Sequence, residues 1–117
     1  MIKLKRVVNN IIPFQDYIAL TVWPWVFIRK ENVGKYTPTA NRHEITHAYQ
    51  QLECLWVLFF AWYLIEWFIK IPICFFVGKD VYRSISFEQE AYANQGKVDY
   101  NKSRKHYAWM QYIFKLK

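Results

Sequence analysis

Between Leu55 and Val77 the chain runs through Trp, Leu, Phe, Ile and Tyr almost without relief, interrupted mainly by Glu66, Lys70 and Pro72. A stretch of that length and polarity suits a bilayer span, a buried helical arm or an apolar helix lying in a membrane interface. Which of these the chain can adopt depends on what the flanking polar segments must do together.

The segment before the arm contains Asn41-Arg42-His43-Glu44-Ile45-Thr46-His47, an H-E-x-x-H string. Thr37-Pro38 opens a helix there, with Thr37 as cap and Pro38 at the first helical position, where its missing N–H costs nothing. That helix is expected from Pro38 past Gln51. On it His43 and His47 lie one turn apart on one face and can offer two imidazoles to a single ion, with Glu44 beside them. Zn2+ suits such a set, which leaves a coordination position open and puts a carboxylate next to the water the metal activates. Glu44 is the expected general base, taking a proton from that water and later giving it to the leaving amine.

No third histidine follows at a spacing that would complete the set, so a carboxylate is required. After Gly78 the chain turns polar, and Ser86-Phe87-Glu88-Gln89 reads as a capping box opening a second helix, Ser86 as cap and Gln89 reaching back, with an end near Gln95-Gly96. Glu88 and Glu90 are the candidates. They stand about 200° apart around that helix, so only one can face a metal. Donors able to polarise a substrate carbonyl are Tyr82, Tyr92, Tyr100 and His106.

A third ligand near Glu88 limits the apolar arm. A straight helix over Leu55 to Ile71 advances about 24 Å, and extended backbone cannot return through lipid. A single span and a ligand near Glu88 therefore exclude each other, leaving a bent or hairpin helix packed on the catalytic part, or an arm lying in the membrane interface. Glu66 and Lys70, spaced i, i+4 with the acid first, can pair and suit a helix with one watered face.

Glu88-Gln89-Glu90-Ala91-Tyr92 resembles the E-x-x-A-D pattern on the second helix of gluzincin zinc metallopeptidases. The likeness implies Glu88 as third zinc ligand and Ala91 as the small residue, and it departs at Tyr92, where those enzymes carry an Asp that orients a metal-bound histidine. His43 to Gln51, Trp62 to Trp67 and Ile85 to Asn94 together resemble a family of short, largely uncharacterised bacterial proteins with a metallopeptidase-type site. That likeness covers most of the chain, implies a minimal gluzincin-like fold and supplies no substrate. Independently of the likeness, Tyr92 and His106 are taken from the four donors above as the expected transition-state stabilisers.

The remaining sequence completes an α+β, mostly helical single domain over residues 1–117. Val7 to Phe14 reads as an extended or irregular lead-in closed by Pro13. Tyr17 to Val22 and Trp25 to Lys30 read as two short antiparallel strands with a bend at Pro24, the second offering an edge to an extended peptide. Glu31 to Gly34 reverses the chain, with Gly34 able to take positive φ. A C-terminal helix over about Val98 to Phe114 packs Tyr107, Trp109, Met110, Ile113 and Phe114 inward. Cys54 and Cys74 lie in apolar sequence and read as buried, reduced thiols.

A net charge of +7 comes from Lys and Arg scattered along the chain, which favours general attraction to anionic surfaces over nucleic-acid binding. With no secretory signal after the basic opening residues, a cytoplasmic location with membrane contact is expected. The expected partner is a peptide or protein substrate. The other reading is a non-catalytic, membrane-associated protein whose metal site is structural or vestigial; a third, binding of an anionic partner by charge, would weaken steeply with salt.

Overall fold

The computed structural model describes residues 3–11 and 18–117. A small mixed sheet comes first: β1 (Lys5–Asn9), β2 (Ala19–Val22) and β3 (Trp25–Arg29), in the order β1-β3-β2. β2 and β3 form the expected antiparallel pair around Trp23 and Pro24, with Thr21 opposite Val26. The lead-in is more ordered than expected, since Lys5–Asn9 pairs in parallel with β3 from Lys5↔Trp25 to Asn9↔Arg29. Residues 12–17, which include the expected close at Pro13 and the start of the first strand at Tyr17, lie outside the described residues. β3 is therefore central and both its edges are used; the edge strand beside the helices is β2. Residues Lys30–Lys35 form a 3-10 helix, and Gly34 does not take positive φ there.

Helix α1 (Pro38–Glu53) begins where Thr37-Pro38 placed it, with the Ala40 N–H donating to Thr37 Oγ1 at 3.2 Å. It stops at Cys54, and the chain turns through Leu55 and Trp56, both at positive φ. The apolar arm is then one continuous helix, α2 (Val57–Val77), ended by Gly78 in the left-handed conformation that glycine adopts without steric cost. It is neither hairpin nor span isolated from the site. Residues 78–85, including the short α3 (Val81–Ser84), double back along it, so that Ser84 and Ser86 come to rest beside Lys70 and Glu66. The return runs over packed protein, which is why a helix of this length and a distant Glu88 coexist.

The two charged residues of α2 point inward. Glu66 and Lys70 pair at 2.9 Å as their spacing allows, but both are buried, and the watered face expected for them does not exist. Glu66 also accepts from the Ser86 N–H at 2.7 Å and from its hydroxyl, so this acid caps α4 (Ser86–Asn94) from another helix. Ser86 is thus not the cap, and Gln89 reaches instead to the Ser84, Tyr112 and Lys115 carbonyls. Gly96 does not take positive φ at the end of α4.

The expected C-terminal helix is two short pieces, α5 (Tyr100–Ser103) and a 3-10 turn at Ala108–Tyr112, separated by Tyr107 at positive φ. Trp109 is buried and Ile113 packs behind it, while Tyr107, Met110 and Phe114 are exposed, contrary to the inward packing expected of them. Two apolar clusters result: Cys54, Phe59, Ile85, Phe87 and Trp109 between the helices, and Val26, Ile28 and Tyr36 under the sheet. Both cysteines are buried and free.

Candidate metal centre

The H-E-x-x-H turn of α1 lies between these clusters, facing β2 on one side and α4 on the other. His43, Glu44 and His47 are all buried. Nε2 of His43 and Nε2 of His47 are 3.1 Å apart, and Oε1 of Glu88 is 3.1 Å from each. Ligand atoms of His43, Glu44 and His47 also fall within 4.8 Å of one another, but the Glu88 oxygen stands closer to both rings than that limit requires. Glu44 is committed elsewhere, its Oε1 accepting from the Thr21 hydroxyl at 2.7 Å.

The hydrogen bonds on the far side of each ring fix what points into the triangle. His47 Nδ1 lies 2.8 Å from Gln50 Oε1, and His43 Nδ1 lies 2.8 Å from Gln95 Oε1. An amide oxygen only accepts, so each Nδ1 carries the proton and each Nε2 turns a lone pair inward. Gln50 is held in that sense because its Nε2 donates to the Phe87 carbonyl and to Glu90 Oε1. Tyr63 donates to Glu88 Oε2 at 2.9 Å, leaving Oε1 for the triangle. Three lone pairs thus converge in a buried place with no donor among them, which is unfavourable unless a cation is shared.

The dimensions suit a small divalent ion. The corners of an equilateral triangle of 3.1 Å sides lie about 1.8 Å from its centre, so all three donor atoms could reach one ion of the size of Zn2+. The His43–Glu44–His47 cluster is therefore within metal-binding distance, and Glu88 is placed to complete it.

Glu90 is turned the other way. It is fully buried and accepts from Tyr100 at 2.6 Å and from Arg104, whose guanidinium also grips Glu53 at 2.8 and 2.9 Å. Tyr100 is occupied there. Tyr92 sets its ring edge-on to His43 with centroids 4.5 Å apart and lies under Arg83. The orientation of the histidines, given in gluzincins to an Asp at the position where this chain has Tyr92, falls to Gln50 and Gln95. His106 is not brought to the histidines: its side chain is 91% exposed and faces Glu53 at 3.3 Å. Tyr82 is closer, in the walls of both cavities that border the centre. Gln50, Gln95, Tyr63 and Thr21 were not singled out from sequence; the available signals were Gln50 three residues beyond His47, on the same helical face as the ring it supports, and Gln95 seven beyond Glu88, on the side of its helix that Glu88 turns to the histidines.

Electrostatics follow from this burial. Burial pushes the Glu44 carboxyl up, and although His47, His43 and the Thr21 hydroxyl pull against it, it stays above the ordinary carboxylate value. Burial alone would lower His47, but the charge and hydrogen bond of Glu88 outweigh it and push the imidazole up to about 9. Burial likewise opposes ionised Glu88, yet the positive His47 and the bonds to both rings hold it well below the usual range. In the metal-free protein a proton thus plays the part of the cation. His47 contributes stability that is complete below its ordinary value of 6.5 and is lost as pH rises through about 9. The Glu88 contribution is present above its ordinary value of 4.5 and is lost as pH falls. Chelated protein should therefore be most stable between roughly pH 5 and 6.5 and melt progressively lower towards pH 9, while metal-loaded protein keeps its melting temperature over that upper range. Melting curves across pH, with and without chelator, check this; a flat chelated profile from pH 6.5 to 9 would count against it.

No family model, no curated protein and no solved structure matches this chain. The functional reading stands on the geometry alone.

Proposed function

We propose that this protein is a zinc-dependent peptide hydrolase of gluzincin type, with His43, His47 and Glu88 as metal ligands and Glu44 as general base. The observation that carries the reading is the convergence of His43 Nε2, His47 Nε2 and Glu88 Oε1 at 3.1 Å, beside a buried carboxylate and an open cleft. When bound, zinc would act as Lewis acid, acidifying a water and polarising the substrate carbonyl. The chain supplies the rest. Glu44, held at Oε1 by Thr21, accepts the water proton and returns it to the departing amine, and its raised affinity for protons suits both steps. Tyr82 stays protonated, because burial first and then Glu88 push its phenol far up, so it can donate to oxygen as negative charge develops. Tyr92, in contact with Tyr82 and His43, supports that position.

A peptide would lie along β2 as a further strand. The Gln51 side chain already takes the outward groups at one end, donating to the Thr21 carbonyl and accepting from the Trp23 N–H, each at 2.7 Å. Antiparallel alternation then turns the Ala19 N–H and C=O outward too, towards the cleft. Zinc content of the purified chain, with cleavage of a mixed peptide library, tests the reading: about one ion per chain and turnover are expected, and protein carrying no metal above its His43→Ala variant overturns it.

The deep burial of His43, His47 and Glu88 favours a second reading, in which the ion is structural and the protein non-catalytic. Retained metal with no turnover, and Glu44→Gln indistinguishable from wild type, would select it.

Among the described residues one helix, α2, is long and apolar enough to cross a membrane. We further place its outer face against lipid, with the domain on one side of the bilayer. With Glu66 and Lys70 turned in, the outward surface of α2 carries no charge, and Phe68, Phe75 and Phe76 are 73%, 81% and 84% exposed. Water-facing patches of this extent are rare on soluble monomers. Lys79, Arg83, Lys115 and Lys117 are exposed near the end of α2 or on the chain packed beside it, which suits anionic headgroups. The protein should float with vesicles containing anionic lipid, and Phe75→Glu with Phe76→Glu should reduce the bound fraction at least tenfold. Concentration-dependent dimerisation without flotation would assign that face to a second copy of the chain instead.

A further inference from the structure

We infer that the cleft selects an extended polypeptide segment rich in large apolar side chains, admitted over the lipid-facing side of α2. This deepens the hydrolase reading and rests on it for the fate of the segment, though not for its binding. Two cavities meet at the candidate centre, sharing Ala19, Glu44 and Tyr82 in their walls. They differ in character. The one between β2 and α2 has a volume of about 430 Å³ and is walled by Leu20, Phe59, Phe60, Tyr63 and Trp67 before it reaches His47 and Glu88. The other, about 270 Å³, is bordered by Lys35, Thr37, Thr39 and Gln95. A strand passing along β2 across Glu44 would therefore have apolar surroundings on one side of the reacting bond and polar ones on the other. The larger chamber is of the size that binds a sizeable organic group, more than one ordinary side chain requires.

The chamber is also continuous with the outside of α2. At 100° per residue, Phe60 and Trp67 stand roughly 70–90° round the helix from its inward stripe of Phe59, Tyr63, Glu66 and Lys70, and next to Leu64 and Ile71. Leu64 and Ile71 are exposed, and Trp67 is itself 38% exposed. The apolar surface of α2 thus runs round into the chamber without a charged residue between. An apolar segment can follow it from lipid to Glu44 while staying out of water, and the outward Ala19 backbone would hold the segment extended whatever its side chains.

The test uses the full chain carrying Glu44→Gln, loaded with Zn2+, and two labelled peptides of about twelve residues, one with a central Leu/Phe run and one with Ser/Gln there. Fluorescence polarisation should show the apolar peptide binding at least tenfold tighter, and adding Leu20→Asp should remove at least tenfold of that affinity while metal content and binding of the polar peptide stay unchanged. Equal affinity for the two peptides, or no effect of Leu20→Asp in folded protein, overturns the inference. Should Leu20→Asp fail to fold, the peptide pair alone decides. Apolar binding without cleavage by wild type would instead sink the hydrolase reading and leave the apolar site standing.

Discussion

Glu44→Gln is expected to lower kcat by about 10²–10⁴-fold while leaving zinc content, KM and melting temperature close to those of wild type. Glutamine keeps the shape of the side chain and an oxygen for the Thr21 hydroxyl, which now donates to Glu44 Oε1 at 2.7 Å, but it cannot take a proton from water. The atoms placed to hold the ion belong to His43, His47 and Glu88, so binding should survive. Glu88→Ala provides the contrast: it removes the third corner of the triangle and should empty the site before any question of rate arises. Metal analysis and steady-state kinetics on the two variants separate the roles. Full activity in Glu44→Gln would show that the base lies elsewhere.

Arg104→Met should destabilise the fold by about 3–5 kcal/mol, lowering the melting temperature by roughly 10–25 °C. The guanidinium bridges Glu90 and Glu53, and all three side chains are nearly or fully removed from water. Methionine fills much of the volume and leaves two buried carboxylates without their cation, so the cost comes from the stranded acids. The damage should also reach the candidate centre, since Glu90 receives Gln50, and Gln50 receives His47 Nδ1. A weakened metal affinity is therefore expected alongside the lower melting temperature. Replacing Glu53, Glu90 and Arg104 together with apolar residues should recover much of the stability without restoring that orientation. If Arg104→Met melts within a degree or two of wild type, the bridge is not a principal support of the fold.

Much of the centre was legible because it depends on local periodicity. Thr37-Pro38 starts α1, and the spacing of His43 and His47 puts their rings on one face in any α-helix. The choice of Glu88 over Glu90 had only a resemblance behind it at the level of sequence; in the folded chain Arg104 and Tyr100 draw Glu90 away and Tyr63 steadies Glu88. The supporting glutamines were harder to see, because Gln is common on solvated helix faces and nothing in its spacing says that it is buried. His106 was misplaced for the related reason that a lone histidine carries no periodicity by which to locate it.

The apolar arm shows the limit from the other side. Its composition and length were plain, but its form as one continuous helix was not, since a hairpin was among the expectations, and neither was the direction of Glu66 and Lys70. An i, i+4 acid–base pair looks the same whether it faces water or protein. What turns it inward is the doubling back of residues 78–85, which brings the Ser84 carbonyl and the Ser86 N–H and hydroxyl to meet the pair. The C-terminal segment failed as one helix for a similar cause: the Tyr107 N–H is bound by Glu53, and Arg104 is held in the buried bridge, so distant contacts outweigh local helical preference.

By itself the amino-acid order determined where α1 starts, which of its residues share a face, and that two imidazoles and a neighbouring carboxylate stand together, since all of this is set within one or two turns of backbone. Only the tertiary structure decided which acid joins them, which strand is left as an edge, and which side of α2 is apolar to the outside, because each depends on segments brought together across many residues: Glu88 meets His43 from 45 residues on, Lys5 pairs with Trp25, and Ser86 reaches back 20 residues to Glu66.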